Sequence, residues 1–362
     1  MFSLAGTIDH FVPRLPPALV GAASLAAVRG VARRLPAAIT HWIDIECRLA
    51  TDRPQVDLIV RVDPRGREIL AAQPWPRLTA FARTWADSAS PVHRAVSATW
   101  LEFDIDRVGV PGDAPASIRP RIFLDLARDA YAAPSATCRL QAIAGALVPF
   151  VGEPTPGWLR RGLERCLHHL PPQAYLLYVG LPAQDRIRQV RLCILGLGEP
   201  RLAAYLRGVG WPGDIDDLRQ HLGRLAGAAG GDGMSVATLH LDLDDHDCVK
   251  PALGLEYALA RRPQVRGAIR ETAFLERLVA CGVCDAGKRD ALLQWPGCAR
   301  ETLPHALWPS IVMRRLSHVK IVYDPPRAGE AKAYLCGSHE RRPALQRRSG
   351  DPPLVDRADP AA

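Results

Sequence analysis

Acid–base chemistry is the first thing the polar residues of this sequence offer. His240 and Asp242 stand two apart in SVATLHLDLD, and Glu102 stands between Leu101 and Phe103 in TWLEFDID. A carboxylate with apolar neighbours loses hydration, which raises its proton affinity and makes it a better base. The plain alternative for Glu102 is a cross-strand salt bridge. Arg121, Arg191, Lys320 and Lys332 supply cations in four different segments. For each of them a solvated side chain, or a pair with a neighbouring acid, is as good an expectation as a binding role.

Other strings carry less. Asp242-Leu-Asp244-Asp245 spells the DxDD of alkene-protonating terpene cyclases, and the acid-rich run DDHD could attract Mg2+. Those cyclases are helical, whereas this string runs off a strand into a hairpin loop, so a solvated turn is expected. Cys281-Gly-Val-Cys284 is a single CxxC with no second pair downstream, short of what four-coordinate zinc needs, and no metal site is assigned. His168-His169 precedes Pro171 at an expected helix end, where the dipole favours histidine. No Gly-rich phosphate loop follows a strand, and no GxSxG elbow occurs.

Composition bounds the rest. The 362 residues are 48% hydrophobic and 23% charged, which describes a core-forming globular chain and excludes disordered and collagen-like classes. The net charge of +8 is carried mostly by Arg, since Lys occurs only at 250, 288, 320 and 332. Such a skew reflects codon usage, so nucleic acid is not an expected partner. No run reaches the roughly 18 apolar residues of a membrane span. The N-terminus carries Asp9 and no basic segment before an apolar one, so no secretory signal is expected. Nine widely spread Cys fit reduced thiols and a cytoplasmic location.

The elements that must position these residues come in pairs. Period-two alternation marks strands at 42–50 and 55–63, 99–106 and 117–126, 174–183 and 186–197, 235–244 and 251–259, and 317–324 and 330–337. Helical stretches fall between the pairs: 137–150, 157–170, 201–210, 214–229, 274–281 and 286–295, with Asp214 and Asp285 as N-caps. The unit is an irregular ββαα repeat, five times over. It predicts one domain over 1–337, and residues 338–362 read as a disordered tail.

Parity then tells the faces apart. Ile43, Ile45, Leu101, Phe103, Leu239, Leu241, Val319 and Ile321 share the apolar set. The opposite parity carries seven cations (Arg48, Arg61, Arg119, Arg121, Arg191, Lys320, Lys332) and eight acids (Asp44, Glu46, Asp57, Glu102, Asp104, Asp125, Asp242, Glu256). Helices must cover the apolar face, and the polar face must meet water or a ligand. An open sheet with one wet face would serve. Closure is the better solution for ten strands, because it removes the edges. The predicted fold class is α+β: a ten-stranded antiparallel β-barrel with helices outside and a polar, solvated lumen.

Five consecutive helix-wrapped hairpins of this kind resemble the ABBA aromatic prenyltransferases. The resemblance covers roughly residues 20–337, and its most specific part is HVKIVYD followed by AKAYL, alternating basic and aromatic residues in the last hairpin. It implies transfer of an allylic prenyl group from a diphosphate to an aromatic or peptide acceptor in secondary metabolism. It also implies roles. Arg121, Arg191, Lys320 and Lys332 would bind the diphosphate through charge-assisted bonds. Tyr178 and Tyr334, with Phe123, would shield an allyl cation. Glu102 would take the acceptor's proton, with His240 as a further acid–base group. No cofactor is required, Mg2+ being at most an assisting ion. A near-neutral lumen suits diphosphate only if its cations cluster, and Lys-x-Tyr occurs once. A non-catalytic barrel that binds a peptide or small molecule as an accessory protein is therefore the rival expectation, and an acid–base enzyme built on Glu102, His240 and Asp242 is a third. Convergence of the four cations beside Tyr334 favours the transferase; separate pairing with acids favours the binding protein.

Overall fold

The computed structural model describes residues 3–50, 56–105, 119–127, 136–182, 186–226, 235–259, 265–302, 309–325 and 329–340. Each alternating pair forms a hairpin. β1 (Trp42–Arg48) runs against β2 (Val56–Val62), β3 (Val96–Asp104) against β4 (Arg121–Leu126), and β5 (Tyr175–Leu181) against β6 (Gln189–Leu195). β7 (Thr238–Asp244) and β8 (Val249–Ala258) form the fourth hairpin. A short β9 (Gly297–Glu301) precedes the fifth, made of β10 (Ser310–Tyr323) and β11 (Glu330–Glu340).

The last strand closes the ring. β11 pairs with β10 on one side and with β1 on the other, setting Tyr334 opposite Glu46 and Lys332 opposite Arg48. Ten antiparallel strands thus form a barrel in sequence order, and β9 lies outside the ring. β9 pairs with Ser310–Arg314, on the β10 edge that β8 occupies at His318–Tyr323. Two features here depart from expectation. β10 begins at Ser310 rather than 317, because a bulge between Leu316 and Val319 interrupts its alternation. β11 continues to Glu340, so residues 338–340 belong to the barrel and not to a tail; 341–362 lie outside the described residues.

Helices cover the apolar parity. α1 (Leu4–Phe11) and α2 (Ala22–Ala32) precede the barrel. α3 (Arg67–Ala71), α4 (Pro76–Ala86) and α5 (Pro91–Ala95) fill a connection for which the sequence shows no bounded helix. α6 (Ala136–Val151) and α7 (Gly157–His168), α8 (Gly198–Gly208) and α9 (Ile215–Ala226), and α10 (Val265–Ala280) and α11 (Ala286–Gln294) are the expected pairs. Both predicted caps form. Asp285 accepts from the Lys288 amide at 3.1 Å, and Asp214 from Asp216 at 2.7 Å. Among the described residues no helix is long and apolar enough to cross a membrane.

Beneath this layer Leu101, Phe103, Leu241 and Val319 are at most 1% exposed, so the outer face of the sheet is the core. Phe103 meets Trp75 at 5.9 Å between ring centres, and Tyr257 meets Phe274 at 4.9 Å. Removing such a ring deletes its transfer energy and leaves a cavity. Phe103→Ala is therefore expected to cost about 3–5 kcal/mol in chemical unfolding. A loss below about 1 kcal/mol would show that this face is not packed as described.

Candidate functional site

The polar parity points into the lumen, buried at some positions and partly exposed at others such as Arg61, Arg121 and Arg191. Asp44, Glu46, Asp57, Glu102, His240, Asp242 and Lys320 are all buried, so the polar lumen expected from the sequence is solvated only in part. Charges removed from water must find partners, and the site is the record of how they do.

Three donors converge on Glu46 of β1. Lys332 Nζ lies 2.6 Å from Oε1, Lys320 Nζ lies 3.5 Å from Oε2, and the Tyr334 hydroxyl donates to the same Oε2. Lys320 also sits 5.1 Å from the Tyr334 ring centre, a cation–π contact. Burial would raise the Glu46 pKa, but Lys320, Lys332 and the Tyr334 hydroxyl outweigh it and hold the carboxyl well below the usual range. Burial would likewise lower Lys332, and the attraction of Glu46 raises it instead. Glu256, the cross-strand partner of Lys320, and Glu330, which acts on Lys332, stand beside the two ammonium groups as further acids.

Asp57 has the opposite fate. It neighbours Glu46 on β2, and its Oδ1 accepts the Ile105 amide at 3.1 Å. Burial, then repulsion from Glu46 and Glu102, push it up to about 7 against the pull of Lys332 and Arg48. Arg48, 3.8 Å away, is shared with Glu330 at 3.0 Å.

A second network occupies β6, β7, β8 and β10. His240 Nε2 lies 2.6 Å from Glu256 Oε1, and His240 Nδ1 lies 3.2 Å from Cys193 Sγ. His318 Nε2 reaches the same Glu256 oxygen at 3.4 Å and stacks on Tyr334 at 3.9 Å. Burial would raise Glu256, but His318 and His240 outweigh it and hold the carboxyl far below its usual value. Burial pushes His318 itself down, against the pull of Glu256 and Asp44.

The arginines stand apart from the lysines. Arg191 binds Asp242 through two bonds of 2.8 and 2.9 Å, and Arg121 meets Glu102 at 3.4 Å. Both are cross-strand pairs. Of the cations named from sequence, Lys320 and Lys332 therefore come together with Tyr334, whereas Arg121 and Arg191 each keep a private acid. Glu102 is the partner in one such pair, and His240 is held between Cys193 and Glu256 with Asp242 engaged elsewhere.

At the helix-connected end of the lumen stands an aromatic wall. Trp100 meets Trp42 at 6.4 Å and Tyr178 at 6.3 Å, both edge-on. Arg61 lies 5.7 Å from the Trp100 ring and Arg315 lies 4.5 Å from the Trp42 ring. Among the described residues the buried Trp100 indole nitrogen has no hydrogen-bond partner. Neither tryptophan was among the residues the sequence singled out, although both carry the lumen parity of their strands. Glu46, Glu256, His318 and Cys193 were missed as well, because alternation places a residue on a face without naming its partner.

The remaining strings stay outside the lumen chemistry. Asp244 Oδ1 accepts the His246 and Cys248 amides, each at 3.0 Å, as a turn residue does. All nine cysteines are free, Cys281 exposed and Cys284 buried. Among the described residues no group of three His, Cys, Asp or Glu side chains is arranged to hold a metal ion.

No protein-family model matches the chain, and no curated protein matches it either. Solved structures do. The prenyltransferase PriB, in a ternary complex with L-tryptophan and dimethylallyl thiolodiphosphate, is 14% identical with a TM-score of 0.50, over 92% of this chain and 96% of its own. The fold is that of the aromatic prenyltransferases. A second similar structure, 5-dimethylallyl tryptophan synthase from Streptomyces coelicolor with DMASPP and Trp, is 13% identical over 98% of this chain and 99% of its own, with a TM-score of 0.47. Within this prenyltransferase barrel, the present chain fills its lumen with internally paired charges.

The raised Asp57 carries a pH signature. Its unfolded value is about 4, so between pH 4 and 7 the fold keeps a proton that the unfolded chain has lost. The stability this contributes is complete below about 4 and is lost as pH rises through about 7. Chemical unfolding at pH 5 and pH 8 should show the wild type losing roughly 2–3 kcal/mol more than Asp57→Asn over that interval. Equal losses would mean that Asp57 titrates normally in the fold.

Proposed function

We propose that the protein is a prenyltransferase-like enzyme that moves an allylic prenyl group from a diphosphate donor to an aromatic or peptide acceptor, in a cytoplasmic pathway of secondary metabolism. The observation that carries this reading is the convergence of Lys320, Lys332 and the Tyr334 hydroxyl on one anionic group, Glu46. A diphosphate oxygen would replace or join the carboxylate as the partner of these three donors. PriB, which shares the fold, was solved with a diphosphate analogue and tryptophan.

The chemistry follows from the lumen. The lysines would take up charge as the diphosphate leaves, which lowers the barrier to breaking the carbon–oxygen bond. The allyl cation would be shielded by the faces of Tyr178, Trp100 and Trp42, and the free Trp100 N–H would orient an acceptor through a hydrogen bond. Glu102, released from Arg121, would accept the proton lost by the acceptor. Mg2+ enters only as an assisting counter-ion of the diphosphate.

One observation favours a second reading. Arg121 and Arg191, which the resemblance assigns to diphosphate, are each matched to an acid, as in a non-catalytic barrel that binds a peptide or small molecule as a pathway accessory protein.

Thermal unfolding separates the two. Saturating dimethylallyl or geranyl diphosphate is expected to raise the midpoint by roughly 2–5 °C, since a ligand selective for the fold stabilises it. Lys332→Ala and Lys320→Ala should abolish the shift. No shift in the wild type would sink the donor assignment. A shift with no prenylated product from tryptophan, tyrosine or peptides containing them would favour the binding protein.

A further inference from the structure

Cys193, His240 and Glu256 form a line of hydrogen bonds of which the resemblance assigned only His240, as an acid–base group. Cys193 of β6 is the cross-strand partner of His240 on β7, with Sγ 3.2 Å from Nδ1. On its far side the same imidazole meets Glu256 of β8 at 2.6 Å. This orders the tautomer: Nε2–H donates to the carboxylate, leaving the Nδ1 lone pair to accept the thiol hydrogen. Gly254 gives the imidazole its space, because a Cβ there would lie 2.9 Å from His240 Cβ. The same built Cβ would lie 3.4 Å from Lys320 Cδ, so the lysine stem passes beside the histidine.

A nucleophile, a base in contact with it and a carboxylate that orients the base are the three parts of an activated thiol. We propose that Cys193 is a nucleophilic thiol, deprotonated by His240 under the control of Glu256, that attacks a carbon bearing an anionic leaving group of the phosphate or carboxylate type. In that step the sulfur electron pair forms the S–C bond, and the bond from carbon to the leaving group breaks. The leaving group departs with its electron pair toward Lys320, and His240 holds the thiol proton until it returns it to that anion or to water. Burial, foremost, keeps the resting group a thiol, so proton removal and bond formation must occur together, which is the work of a general base. Cys47 is equally buried but lies on the opposite, helix-covered face of the sheet, its thiol 3.8 Å from the Ile45 carbonyl, and the thiol of Cys336, also fully buried, meets Arg315.

Alkylation of the folded protein with iodoacetamide, read residue by residue by mass spectrometry, tests this without any prenyl donor. The reaction balances as above, with iodide leaving and the proton passing to His240. Cys193 is expected to react roughly tenfold or more faster than the equally buried Cys47 and Cys336, of which Cys336 shares the lumen-facing parity but has Arg315 rather than a histidine against its thiol. His240→Gln should bring Cys193 down to the rate of Cys47, and Glu256→Gln should slow it several-fold while Cys47 stays unchanged. A wild-type Cys193 no faster than Cys47, or a rate indifferent to both variants, would overturn the proposal. The wild-type comparison needs no variant, so it decides the matter even if His240→Gln does not fold. Because no diphosphate is involved, failure here leaves the donor site untouched.

Discussion

Lys320 and Lys332 reach one carboxylate, Glu46, with the Tyr334 hydroxyl on the same group. Burying charge costs several kcal/mol per ion unless partners replace the lost water, so these four side chains stand or fall together. Glu46 lies on the first strand and the other three lie on the last hairpin. Only closure of the sheet through β11 and β1 brings them into contact. The pairing also fixes register, since a slip of one residue would turn Lys332 and Tyr334 into the helical layer and Leu335 into the lumen. The same constraint accounts for Asp57. Burial first, and then the charges of Glu46 and Glu102, push the next carboxyl, on β2, up to about 7.

Parity read from the chain located most of the barrel. Runs such as Ile43, Ile45 and Cys47, or Leu239, Leu241 and Leu243, alternate cleanly because one face packs on helices and the other on charge. The first half of β10 was invisible for a local reason: the bulge at Leu316–Val319 breaks the alternation, so Arg315 and Lys320 face the lumen with different parity. The helices over 67–95 are short, and two span only five residues, too few to show a period. Lys320, Lys332 and Tyr334 were legible as a group because Lys-x-Tyr and the facing Lys lie in one hairpin. Glu46 was not, because nothing local links it to residues nearly three hundred positions away. Trp42 and Trp100 had the right parity but were passed over in favour of charged residues and Tyr on that face.

A lumen filled this way differs from a solvated channel in what it asks of a ligand. Arg121 and Arg191 must each leave an acid before they can serve anything else, and leaving a buried acid unpaired is expensive. The Glu46 cluster is different in that two ammonium groups and a hydroxyl share one carboxylate, with Glu256 opposite Lys320 on the neighbouring strand. On the opposite side, the chain from Cys193 through His240 to Glu256 keeps its proton inventory internal. Binding and proton transfer are thus built on separate strands, with Lys320 and Tyr334 between them.

Calorimetric titration of inorganic diphosphate into the wild type and into Lys332→Met tests the central claim most directly, because it asks whether the Glu46 cluster accepts an anion without reference to any acceptor or product. Saturable binding to the wild type that disappears in Lys332→Met is the predicted result. Absence of binding to the wild type, or equal binding to both, would contradict the assignment of Lys320, Lys332 and Tyr334 as the anion site.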